Sequence, residues 1–167
     1  MKKFLLMIVV ALSISATMEA QELKFGHFDS QQFMSALPEI KTLEATIEEE
    51  TKKAEATYTD LQENFKTMLE EYQKNAETMT SEARSAKEEE LSAMSQKIQQ
   101  FAQMSQQQLQ QQYQQLLMPI QQKVLRAVQE VGVENGFTYI FESMGPTFIG
   151  EKSIDITPMV KAKLNIK

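Results

Sequence analysis

From Ile40 onward, apolar residues recur at alternating steps of four and three: Ile40, Leu43, Ile47, Ala54, Tyr58, Leu61, Phe65, Met68, Tyr72, Ala76, Met79, Ala83 and Ala86. That heptad rhythm predicts a helix with one apolar stripe turned toward a partner helix. After a five-residue step to Leu91 it resumes through Met94, Ile98, Phe101, Leu109, Tyr113, Leu116, Ile120, Val124, Ala127 and Val131. Two helices fit the break better than one. Between Pro38 and Pro119 lie eighty residues with neither glycine nor proline, filled with strong helix formers. Thr78, Thr80 and Ser81 cluster where the seam falters, and Thr80 or Ser81 ahead of Glu82 offers an N-cap for a returning helix. A straight rod would hold the terminal segments more than about 100 Å apart, whereas a hairpin with arms of about 60 Å brings them together.

The ends have a different texture. A strand is expected within Leu23–Asp29, and Asp29 or Ser30 then caps a short helix that leads past Pro38. Asn135 and Gly136 form a helix stop, with glycine free to take the left-handed conformation. A strand over 137–142 follows, Met144-Gly145-Pro146 turns the chain into a further extended piece over 147–149, and Thr157-Pro158 caps a last helix carrying Met159, Val160 and Leu164. The fold expected is α+β, mainly α: a long antiparallel coiled-coil hairpin attached to a small β-rich body. The division is 39–118 for the hairpin, with its tip near 78–82, and 21–38 plus 119–167 for the body. So small a core, with open strand edges, favours closure by oligomerisation.

Lys2 and Lys3 precede an apolar run from Phe4 to Ile14 and a small residue at Ala20, the pattern of a secretory signal peptide over 1–20. The run is too short for the roughly 20 residues that span a bilayer. Cleavage removes two lysines and one glutamate and moves the net charge from -6 to -7. An acidic chain argues against nucleic acid and against adsorption to anionic lipid. With no cysteine, an exported chain has no disulfide staples.

Several segments, taken in order, resemble the OmpH/Skp family of periplasmic holding chaperones. They are Phe25-Gly26-His27-Phe28-Asp29-Ser30-Gln31-Gln32-Phe33, Leu37-Pro38-Glu39, Pro119-Ile120-Gln121-Gln122-Lys123-Val124, Gly136-Phe137-Thr138-Tyr139-Ile140 and Asp155-Ile156-Thr157-Pro158-Met159-Val160. The resemblance covers the chain beyond residue 20. It implies a homotrimer whose strands form a shared body, with three helical hairpins projecting as tentacles around a cavity. It also implies that unfolded outer-membrane proteins are held there in transit, without ATP. Candidate residues of the trimer body are Phe25, Phe28, Tyr139, Phe141, Phe148 and Ile149.

The charge pattern departs from family members with strongly basic tentacles. Residues 39–95 hold fifteen acidic and seven basic residues, while residues 96–122 hold fourteen glutamines. Client capture by positive charge is therefore not expected. The glutamines are either weak partners for exposed backbone or simply the solvated faces of a coiled coil. Flexible thioethers and aromatic rings suit surfaces that accept many partners, which makes Met68, Tyr72, Met79, Met94, Phe101 and Met104 candidate client contacts. The alternative for most of them is packing between the two helices. Pro119, inside a helical pattern, predicts a kink that serves either as a hinge or as a static bend.

Catalytic readings lack their parts. Gly145 to Ser153 loosely resembles a phosphate loop, but Glu151 separates Gly150 from Lys152 and extended chain follows where a helix is needed. His27 is the single histidine and reads as a strand residue of the body. No enzyme activity, cofactor or metal is expected. The function expected is an ATP-independent periplasmic holdase for unfolded outer-membrane or exported proteins, with no nucleic acid partner and no stable membrane insertion. The alternative is a structural coiled-coil spacer or adaptor of the cell envelope.

Overall fold

The computed structural model describes residues 23–166, so the expected signal peptide lies outside the described residues. Two compact units are present: one combines the described residues through Ser30 with those from Arg126 onward, and the other is Gln31–Leu125.

The first unit contains a three-stranded parallel sheet in the order β2-β1-β3, built from β1 (Phe25–Phe28), β2 (Tyr139–Glu142) and β3 (Ile154–Asp155). β1 is central, with Phe25 opposite Tyr139 and Gly26 opposite Ile154. Parallel neighbours cannot be joined by a tight turn. The whole helical hairpin is the crossover between β1 and β2. The segment 147–149, expected to be a further extended piece, forms no strand. β3 at Ile154–Asp155 takes the second edge of β1 instead, and Phe148 is left 83% exposed. The last helix, α4 (Thr157–Lys163), follows at once. Its cap is not Thr157, because the Asp155 carboxylate accepts the Thr157 N–H at 2.9 Å. Pro158 then occupies the first turn, where a missing N–H costs nothing. Ile156 and Val160 are fully buried in this unit, with Phe28, Ala127 and Val131 close behind.

The second unit holds all but the first residue of the short α1 (Ser30–Ser35), α2 (Pro38–Asn75) and most of α3 (Ser81–Glu134). Pro38 opens α2 and Lys74 lies in its last turn, both suited to their ends of a helix. At the turn, Arg84 Nη2 donates to the Ala76 carbonyl at 2.5 Å and Thr80 Oγ1 accepts the Ala83 N–H at 3.2 Å, capping α3. Tyr72 with Glu88 at 2.5 Å and Glu39 with Lys123 at 2.6 Å are nested about that same turn, the signature of antiparallel pairing. Helix α3 runs unbroken past Pro119. Pro119 faces solvent, so the carbonyl it leaves without a donor is open to water. Past its last residue, Glu134, the helix is closed at Gly136, at φ 66°, where Phe137 N–H reaches the Gly132 carbonyl at 2.9 Å and Gly136 N–H reaches that of Val133 at 3.3 Å. This pair of bonds is a Schellman motif.

The seam holds along α2, where Leu43 and Leu61 are buried. On α3 it needs correction. Ala83 and Ala86 are exposed, and Lys87 and Leu91 open the stripe. Tyr113 and Leu116 are also exposed, at 38% and 36%, while Ser105, Gln112 and Leu117 turn inward. Heptad steps from Leu91 lead through Ile98 to Ser105 and Gln112, so the backbone kept its phase where the apolar residues left it. Glutamate four residues ahead of lysine, as at Glu48–Lys52, Glu49–Lys53 and Glu70–Lys74, predicts supporting surface pairs, and the first two form at 2.6 and 2.9 Å. Glu70 lies 3.9 Å from Lys66 and does not pair with Lys74.

Candidate functional site

Alternation along β1 sends Phe25 and His27 to one face of the sheet and Gly26 and Phe28 to the other. The second face is covered: Phe28 is 4% exposed, and a Cβ on Gly26 would sit 3.0 Å from both Ile156 and Phe137. The first is not. Phe25, Tyr139 and Phe141 stack with centroids 6.0 to 6.3 Å apart, yet Tyr139 is 59% and Phe141 45% exposed. Beside them an open cleft of about 380 Å³ is lined by Phe25, Phe141, Pro146, Phe148 and Ile149. Five of the six body candidates therefore gather on or beside one aromatic surface, while Phe28 belongs to the core of its own unit.

Polar groups of this unit are tied down. His27 Nδ1 lies 3.0 Å from Ser153 Oγ, which links β1 to the turn before β3. Lys24 donates to the Asn135 carbonyl at 2.8 Å and sits 4.3 Å over the Phe137 ring. Burial works against ionisation of Asp155, but the hydrogen bonds from Thr157, with His27 and Lys161 nearby, hold its carboxyl below the usual range. Lys163, paired with Glu134 and Glu130, is held above the ordinary lysine range by those bonds. All of these groups serve local structure. The partnership of Ser153 with His27 and the capping role of Asp155 were missed in the sequence; only the Asp-x-Thr-Pro spelling signals the second.

In the hairpin, Met68, Tyr72, Met79, Met94 and Phe101 are half-buried along the seam, and Met104 is 67% exposed. The Tyr72 hydroxyl donates to Glu88, which raises its pKa above the ordinary phenol value. Glu39 is held below the usual carboxylate range by its hydrogen bond from Lys123. Exposed Met118 and Leu125 share the heptad row of Met104, an apolar row outside the seam.

Among the described residues no group of three or more histidine, aspartate or glutamate side chains could hold a metal ion. No described helix is long and apolar enough to cross a membrane. The Gly145–Ser153 segment leads into β3 and not into a helix, so it presents no helix N-terminus to a phosphate.

A small parallel sheet whose crossover is a long antiparallel helical hairpin defines the class. The model of the family described as outer membrane protein (OmpH-like) matches residues 24–164, and the chain belongs to that family. A Caulobacter crescentus CB15 protein provisionally described as an outer membrane chaperone (OmpH-like) has the same fold, with a TM-score of 0.75 over 86% of this chain and 84% of its own at 17% identity. No curated protein sequence matches the chain.

Proposed function

We propose that this chain is an ATP-independent periplasmic holdase. As a homotrimer it binds unfolded outer-membrane proteins between its hairpins and keeps them from aggregating. Family membership across 24–164, which takes in the strands and both hairpin helices, carries this reading. The exposed aromatic face of Phe25, Tyr139 and Phe141 supports self-association, since a lone chain leaves those rings in water. Residues 21–38 with 119–167 form the shared body, and 39–118 form the arm. Weak contacts suffice because three arms act on one client. Met104 presents an exposed thioether to that client, and the half-buried Met68, Tyr72, Met79, Met94 and Phe101 contribute at their edges. Pro119, where α3 lacks one backbone bond, articulates the arm.

Dilution of an unfolded β-barrel protein out of denaturant tests this reading. Soluble client at a ratio of about three chains to one supports the holdase, following the trimer stoichiometry. Failure across several clients and salt concentrations returns the chain to the role of envelope spacer or adaptor.

A further inference from the structure

The middle of the hairpin is under-filled. Between half-buried Ile47 and Tyr58 on α2 the seam narrows to Thr51 and Ala54, and between Ile98 and Leu117 on α3 it includes Ser105 and Gln112 beside Phe101 and Leu109. Small and polar residues there leave an open cleft of about 300 Å³ between the helices, with Ala54 and Ser105 in its lining and Phe101, Met104 and Leu109 as its apolar walls. That is about twice the roughly 150 Å³ known to hold a benzene ring in an engineered cavity. The lining holds one acidic and one basic residue, Glu50 and Lys53, 2.9 Å apart, and so has no net charge. It also sits on a run of α3, residues 98–122, that contains no charged residue at all. Gln108 and Gln112 line it with amides that donate to and accept from a peptide main chain.

We infer that this cleft seats one aromatic side chain from an extended, uncharged segment of the bound polypeptide. The proposal rests on the holdase reading and names where a client is gripped. Three features select that occupant. The volume fits a ring, and the thioether of Met104 at the rim favours an aromatic edge. With Glu50 and Lys53 already paired to each other, the lining offers no uncompensated partner to a charged side chain. Glutamine amides reward an exposed main chain, which a folded protein or a second copy of a completed helix does not offer.

A short neutral peptide of serine and glutamine, with a single benzophenone-bearing phenylalanine, maps the site by photolabelling and mass spectrometry of the full chain. Labels are expected to concentrate on Phe101, Met104 and Leu109. Ala54→Leu and Ser105→Leu, which fill the cleft, are expected to lower that labelling about tenfold while circular dichroism shows helicity retained. Labels spread evenly over both arms of the unaltered chain overturn the cleft, whatever the variants do. Undiminished labelling in both filled variants overturns it as well. The aggregation assay on the same preparations separates the two claims. Suppression without cleft labelling removes the cleft alone, whereas loss of suppression in the unaltered chain removes the holdase reading.

Discussion

Gly26 has two neighbours at 3.0 Å from any added Cβ, the Ile156 methyl and the Phe137 ring. Gly26→Ala is therefore expected to lower stability by about 1 to 3 kcal/mol, as overpacking does, measured by urea denaturation. Asp155 is a second sensitive position. Asp155→Ala removes the acceptor for the Thr157 N–H and is expected to cost about 1 kcal/mol. Because the folded carboxyl is held below its ordinary value, that contribution is present above about pH 4, the unfolded carboxylate range, and is lost as pH falls through the folded pKa. The gap between wild type and variant should close with acidification; a gap that widens in acid contradicts the assignment. Single-residue chemistry was legible where it depends on the local chain alone, as at Thr80, whose Oγ1 caps α3, and at Gly136. It was not legible at Asp155, because a Thr-Pro pair looks like a cap until β3 places the carboxylate one residue ahead of Ile156.

Helix α2, 38 residues long, and helix α3, 54 residues long, are held chiefly by sparse buried leucines and not by a continuous core. Leu61→Ala and Leu91→Ala should each destabilise the hairpin by about 2 kcal/mol, the low end for leucine truncation, since both keep some solvent contact. A melting shift no larger than that of an exposed control such as Met104→Ala would show that the seam carries little of the stability. Pro119→Ala restores a backbone donor in α3 and is expected to narrow arm spread in X-ray scattering. Unchanged spread with unchanged client capacity removes the hinge. The hairpin itself was legible from period and from the confinement of glycine and proline to the ends. The phase of α3 was not, since Ser105 and Gln112 hold inward positions that apolar counting assigns to Tyr113 and Leu116. Local propensity likewise pointed to 147–149 as a strand. Which segment completes a sheet depends on a distant partner, and β1 accepts Ile154–Asp155.

Across the whole molecule, charge is unevenly divided: residues 39–95 carry a marked acidic excess, while 98–122 carry no charge. Gripping clients on the neutral stretch predicts that aggregation suppression changes less than about twofold between low and high salt, because screening acts only on charges. A steep salt dependence points instead to capture by the acidic stretch. The family fold could be read from the order of its segments, but its assembly is a property of several chains, of which one chain shows an aromatic face exposed to water. Native mass spectrometry of the purified chain, with and without one unfolded β-barrel client, bears on the central claim most directly. The account predicts three chains alone and three chains with one client; a stable single chain that binds no client contradicts it.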